Sequence, residues 1–288
     1  MEAMWHHLYG GVVSARVAFG PAYRAAVAPL IAAAVDRLEK PAVHILVIGG
    51  GQAHFSRHLL PAVKESLRQV GNKVKIEVTE SDAHPGSESG KNQIADMFEL
   101  KKTFGNRRFD MVVGESVIHS GGPQEMGAIL SSIHEILEPN GLLLHVQDVT
   151  PPVIWLSRSE RTRAAAVEKE KPTLESKKEM AELSKRAHAS LVQAIEQEAA
   201  KLGMTTETIG ARSVRTVSKW PDDDLFAALK GKVNRLDYDH GNTHTSRVAG
   251  VPAGQYVTSY SGTVAVVSRN QINLKNHVKA KEFDHYGN

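Results

Sequence analysis

The stretch His44-Ile45-Leu46-Val47-Ile48-Gly49-Gly50-Gly51-Gln52-Ala53-His54 constrains the fold more than any other part of the chain. An apolar run of strand length stops at three glycines, and a helical pattern begins just behind them. Glycine at that point permits a sharp turn and lets a ligand approach bare main chain. The helix that follows aims unpaired N–H groups at whatever lies above the strand tips. Strand, bare turn and helix N-terminus in that order make a nucleotide-sized crevice.

The alternation continues along the chain. Residues 45–48 read as a first strand. Phe55, Leu59, Leu60, Val63, Leu67 and Val70 have helical spacing, and Gly71-Asn72 ends that helix. A second strand over 74–79 closes on Glu80-Ser81-Asp82, and a loop with Gly, Ser and Asn follows over 85–92. Phe109-Asp110-Met111-Val112-Val113-Gly114 reads as a buried strand, 126–137 as a helix, Pro139-Asn140-Gly141 as a tight turn and 142–146 as a further strand. Strands alternating with helices in this way imply parallel βαβ units.

Flanking segments differ in character. Residues 1–40 read as a helical N-terminal segment broken at Gly20-Pro21, with an amphipathic helix over 25–35 that is too short to span a bilayer and is interrupted by Pro29. No basic segment opens the chain, so a secretory signal is not expected. Residues 41–269 form the α/β domain, with insertions at about 151–203 and 218–255. The first insertion mixes both charge signs over 158–171. It then carries an apolar stripe at Met180, Leu183, Ala187, Leu191, Ile195, Ala199 and Leu202, stopped by Gly203. Strands are expected at 205–217 and 263–268, with a short helix between them from Asp222 to near Gly231. A polar tail occupies 270–288. There is no internal repeat and no low-complexity tract.

Composition excludes several chemistries. The 288-residue chain has no cysteine, which removes disulfides, thiolate metal sites and a cysteine nucleophile. A reducing compartment fits, and a cytoplasmic location is the expectation. The net charge of +3 is spread along the chain and gives no nucleic-acid footprint, although a modest basic patch for an acidic substrate stays open.

These motifs resemble the class I methyltransferases, which use S-adenosylmethionine, well over residues 40–150 and loosely beyond. The family's first motif runs acid-x-Gly-x-Gly-x-Gly, and Val47-Ile48-Gly49-Gly50-Gly51-Gln52-Ala53 keeps two of its glycines while replacing the acid by Val47. The resemblance places Gly49, Gly50, Gly51 and Gln52 along the cofactor. It assigns Glu80, beside Ser81, to the ribose hydroxyls, with Asp82 as fallback, and Asp96 with Met97 to the adenine side. It places Glu115 and Ser116, after strand four, with the cofactor, and His119 where substrates of the family lie beside the cofactor methyl. The run over 129–146, with Glu138-Pro139-Asn140-Gly141, looks like the family's turn before strand five. A Rossmann-like doubly wound sheet is implied, mostly parallel with an antiparallel last strand, together with a methyl acceptor, either a small molecule or a protein side chain.

Each of these residues also has a plainer reading. Gly49–Gly51 would serve as a tight turn without a ligand, Glu80 as a solvated strand end, and Asp96 as the cap of a helix begun near Met97. His119 is a candidate general base, or a surface or core histidine. His240 and His244, with Asp237 and Asp239, invite a metal, but Gly241-Asn242 between them argues for a polar loop, and no metal is expected. His6 and His7, beside Trp5 and Tyr9, belong to a lid over the cofactor or to plain surface. The stripe of 180–202 has the spacing of core packing, and the two insertions are expected to choose the substrate.

Four rival functions stay in view. An aminopropyltransferase has a similar glycine motif but expects acids after strand four, where Glu115 stands. A serine α/β-hydrolase would use Gly114-Glu115-Ser116, but Ile118 occupies the place of its last glycine. An NAD-dependent dehydrogenase needs a glycine where His54 stands. A binding module that keeps the fold without turnover would account for Val47.

Overall fold

The computed structural model describes residues 21–50, 53, 55–83, 93–115, 117–147, 153–169, 174–219, 243–246 and 255–268. Its strands are β1 (Ala42–Ile48), β2 (Lys75–Asp82), β3 (Gln93–Ile94), β4 (Phe109–Glu115), β5 (Leu137–Gln147), β6 (Thr205–Lys219), β7 (Thr243–Ser246) and β8 (Gln255–Ser268). Its α-helices are α1 (Pro21–Arg37), α2 (Leu60–Gln69), α3 (Leu100–Phe104), α4 (Met126–Ile136), α5 (Arg158–Lys169) and α6 (Leu174–Lys201). The strand order is β3-β2-β1-β4-β5-β8-β6, with β7 also on β8. Strands β1 to β5 pair in parallel, and β8 runs antiparallel to both β5 and β6. This is the doubly wound, mostly parallel sheet with an antiparallel last strand that the resemblance implies.

Side-chain alternation builds two apolar layers. Ile45, Val47, Met111, Val113 and Leu144 face α1 and α2, where Leu30, Ile31, Val63 and Leu67 meet them. Leu46, Ile48, Val112 and Leu143 face the other way, against Leu100, Ile129, Ile133, Leu191 and Ile195 of α3, α4 and α6. Both faces of the central strands are covered, so β1 and β4 read as continuous apolar runs rather than alternating ones. The stripe on α6 packs into this core, with Leu183, Ala187, Leu191, Ile195 and Ala199 all buried.

The structure corrects several sequence expectations. Helix α1 is not amphipathic: Ala28 and Ala32 are buried as well as Ala26, Val27, Leu30, Ile31, Ala34 and Val35, so burial extends well beyond one face. A helix that is apolar all round belongs inside a protein, and this one packs against α2, β6 and β8. Pro29 lies within it without ending it. The helix expected over 55–70 opens as a wide π turn, Phe55–Leu59, before α2 takes over. β2 carries on through Glu80, Ser81 and Asp82. Leu137 pairs with Phe109, and Leu142 with Met111, so the expected turn over 138–141 bulges out within the span of β5. Gly51, Gln52, His54, Ser116, His240, the lid residues Trp5, His6, His7 and Tyr9, the expected helix from Asp222 and the polar tail all lie outside the described residues. His244 belongs to β7 by its backbone.

At the N-terminal end of the sheet, Asp110 is buried. It accepts the His44 backbone N–H at 2.8 Å, and Lys40 donates to its other oxygen. Asp110→Ala leaves the His44 N–H unpaired and is expected to cost about 2 kcal/mol of stability. Urea denaturation measures it, and an unchanged midpoint would refute the role.

Candidate active site

The sheet order reverses between β1 and β4, whose crossovers leave in opposite directions. Ligands of open α/β sheets lie in the crevice outside the strand C-termini at such a switch point. The tips of β1, β2 and β4 meet there.

The tip of β1 is stitched to β2. Gly50 donates its N–H to the Ser81 carbonyl at 2.9 Å, and the Ser81 hydroxyl donates to the Val47 carbonyl at 3.1 Å. Gly49 has φ +68°, a left-handed conformation that glycine adopts without penalty. A Cβ on Gly49 would lie 2.6 Å from Cγ2 of Val117. A Cβ on Gly50 would lie 3.2 Å from the Cβ of Glu80 and 3.5 Å from its Oε2. In these directions the two glycines make room for protein side chains. Gly49 admits the turn after β4, and Gly50 admits the carboxylate of Glu80.

Glu80 is not a solvated strand end. It is 5% exposed. Its Oε1 accepts the Ser56 backbone N–H at 2.6 Å, at the start of the π turn. Its Oε2 is buried and has no hydrogen-bond partner among the described residues. Burial pushes the Glu80 carboxyl above the ordinary carboxylate range, while the Ser56 hydrogen bonds and the nearby Arg57 pull the other way. A buried carboxylate oxygen without a donor is costly. An oxygen so placed beside the glycine turn fits a ligand that brings hydroxyl donors, as a ribose does.

The other candidates are placed as follows. Val47 is 2% exposed and packs with Ile45 and Val113, so β1 ends without a carboxylate in that position. Asp96 is exposed and accepts the Phe98 N–H at 2.9 Å. That bond closes a turn two residues on rather than capping α3, which begins at Leu100. Met97 packs against the core beneath α3 and α4. Glu115 ends β4 and is half-buried. His119 is 5% exposed, within the 3₁₀ turn Ile118–Ser120, which rules out its surface reading. Among the described residues no group of three His, Asp or Glu side chains is arranged to hold a metal, and no helix is long and apolar enough to cross a membrane.

Four residues of this region escape a sequence reading. Ser56 and Val117 act through tertiary contacts that no local pattern announces. His145, 1% exposed, stands opposite Gly114 in the β4–β5 register, and its signal was a lone histidine inside the apolar run 142–146. Trp155 is buried and donates its indole N–H to the His119 carbonyl at 2.8 Å. The signal for its neighbourhood was Ser157-x-x-Glu160, a capping box in which Glu160 accepts from the Ser157 N–H at 2.9 Å and opens α5. Trp155→Phe removes a buried hydrogen bond and is expected to lower stability by about 1–3 kcal/mol. Denaturation with wild-type stability would mean that the indole contact contributes nothing.

No family model matches the sequence, and no curated protein matches it. Solved structures are similar at low identity. One is the plantazolicin methyltransferase BamL, in complex with a triazolic desmethylPZN analog and SAH, at 11% identity, covering 93% of this chain and 90% of that one, with a TM-score of 0.42. Another is the magnesium protoporphyrin IX methyltransferase ChlM from Synechocystis PCC 6803, with bound SAH, at 12% identity, covering 93% of each chain, with a TM-score of 0.41. The fold rests on strand order and direction, with β8 reversed next to β5 and β6 outermost. It is a Rossmann-like, doubly wound α/β fold.

Proposed function

We propose that this chain is an S-adenosylmethionine-dependent methyltransferase, and that the crevice above β1, β2 and β4 is its cofactor site. The observation that carries this reading is the buried, unpartnered Oε2 of Glu80 beside Gly50 at the switch point. Bound S-adenosylmethionine supplies an already activated sulfonium methyl group. The chain's own work is to bind, orient and exclude water, and positioning of that kind is worth roughly 7–11 kcal/mol of a barrier. Glu80 would receive the ribose hydroxyls, with Gly49, Gly50 and Ser81 shaping the turn, and Gly51, Gln52 and Ser116 as further cofactor residues. Asp96 and Met97 would border the adenine side, and Glu115 would close the edge toward the acceptor. His119 would take a proton from the acceptor where the acceptor is protonated. A cysteine-free chain suits the reducing cytoplasm, where we place it.

Calorimetric titration of the purified protein with S-adenosylhomocysteine tests the reading, and no detectable binding would remove it. A second reading rests on Val47, whose place in the core leaves β1 without the family's acid. On that reading the protein binds the cofactor without turnover, and a panel of acceptors would show no methyl transfer despite tight binding.

A further inference from the structure

The sheet does not stop at the tip of β5. β8 pairs with β5 from Ser268 back to Thr263, which stands opposite Gln147. β6 and β8 continue past that point, from Arg212↔Gly262 to Lys219↔Gln255, after a register shift between Ile209 and Arg212. β7 joins the β8 edge that β5 has left, from Thr243↔Tyr260 to Ser246↔Val257. The product is a three-stranded antiparallel ribbon about 25 Å long, at about 3.3 Å per residue. It leaves the sheet at the C-terminal ends of the parallel strands, the end that carries Gly49, Gly50 and Glu80. β8 stands three strands from β1, so at about 4.8 Å per strand the base of the ribbon is about 15 Å to the side of the glycine turn.

Two properties of the ribbon select a partner. Its charge has one sign: Arg212, Arg215 and Lys219 lie on β6, and no Asp or Glu occurs within 212–219, 243–246 or 255–262. β6 also ends the strand order, and no strand of the described residues pairs with its outer edge. The opposite edge of the sheet is β3, only 2 residues long, and very short strands are how proteins blunt an edge. β6 runs for 15 residues without a proline. A row of main-chain donors and acceptors of that length is a template for an added strand.

We propose that the outer edge of β6 is a docking surface for an extended acidic peptide segment of the methyl-acceptor protein, which pairs with it as an added strand. The proposal rests on the methyltransferase reading only for the word acceptor. A small molecule held in the crevice has no use for a charged edge that stands four strands from β1, about 19 Å away, and runs on for about 25 Å. A polypeptide with one side chain in the crevice passes through that region. Main-chain hydrogen bonds would supply affinity for any strand, and Arg212, Arg215 and Lys219 would select acidic ones. A second copy of β6 would bring like charges together, and a nucleic acid has no amide ladder to continue.

The test uses the full chain and three fluorescein-labelled probes: a twelve-residue peptide alternating Glu and Val, the same peptide with Lys for Glu, and a twelve-nucleotide oligothymidylate. Fluorescence anisotropy is expected to show binding of the Glu peptide and at least about tenfold weaker binding of the other two. Arg212→Gln/Arg215→Gln/Lys219→Gln is expected to weaken the Glu peptide by about tenfold or more while the affinity for S-adenosylhomocysteine stays within about twofold. Amide hydrogen exchange over 212–219 should slow when the peptide binds. The proposal fails if the Glu peptide does not bind, if the Lys peptide or the oligonucleotide binds as well, if the triple variant keeps wild-type affinity, or if exchange in β6 is unchanged. Should the triple variant unfold, single Arg215→Gln replaces it, with about threefold weakening expected and no change overturning the idea. A wild-type chain that binds the Glu peptide but no S-adenosylhomocysteine would leave the docking surface standing and remove the methyltransferase reading.

Discussion

Glu80→Ala is expected to lower the affinity for S-adenosylhomocysteine by about 10- to 100-fold, the worth of hydrogen bonds to a charged group at about 1.5–3 kcal/mol. The reason is the disposition of its two oxygens. Oε1 is committed to the Ser56 N–H, and Oε2 is buried without a donor among the described residues, so the ribose hydroxyls would supply one. The same geometry fixes a pH dependence. Burial raises the Glu80 pKa above its ordinary 4.5. In the window that opens there, the folded chain holds more protons than the unfolded one, so the ligand-free protein loses stability as pH rises through it. Affinity runs the other way and increases with pH, because the ribose hydroxyls donate to the ionised carboxylate. Several other groups titrate with the opposite sign, Glu160 and His188 among them. Glu160, held at about 2 by Ser157 and Arg186, contributes stability above 4.5 that is lost as pH falls toward 2. His188, whose pKa burial lowers from 6.5, contributes stability that is lost as pH falls below that value. Comparing wild type with Glu80→Gln from pH 4.5 upward cancels them. Matching affinities and matching pH profiles would take the ribose role from Glu80 and pass it to Asp82.

Gly49→Val is expected to abolish binding of S-adenosylhomocysteine while the domain stays folded. Two penalties fall on the same atom. At φ +68° a side chain costs about 1–2 kcal/mol, and a β-branched one fits worse. The new Cβ would also sit 2.6 Å from Cγ2 and 2.8 Å from Cβ of Val117, so the turns after β1 and β4 must separate. The two causes can be resolved. Gly49→Ala with Val117→Ala removes the clash but keeps the backbone strain, so it should regain part of the stability lost in Gly49→Ala alone. A coupling of about 0.5–3 kcal/mol is expected from such a cycle. Circular dichroism reports the fold and calorimetry the binding. Wild-type affinity in Gly49→Val would show that the turn is remote from the ligand.

How far the sequence reached depended on how local each signal was. β1, its glycine turn and β4 were legible because an apolar run and a glycine act within a few residues. The buried stripe of α6 was legible for the same reason, since Leu183, Ala187, Leu191, Ile195 and Ala199 recur at helical spacing. Helix α1 misled because its apolar residues were read as one face, whereas α2, β6 and β8 bury it on nearly every side. β2 and β5 ran longer than expected because pairing with β1 and β4 holds Glu80, read as closing a strand, and Leu137, read as ending a helix, in the ladder.

The order of strands and glycines along the chain by itself determined a doubly wound α/β sheet with a crevice above β1, because alternation of period and a residue without Cβ are properties of short segments. Only the tertiary structure decided that Gly49 meets Val117, that Glu80 is buried with one oxygen lacking a donor, and that β6 and β8 outrun the sheet as a ribbon. Those facts are contacts between segments far apart in sequence, and a contact of that kind exists only once the chain has closed on itself.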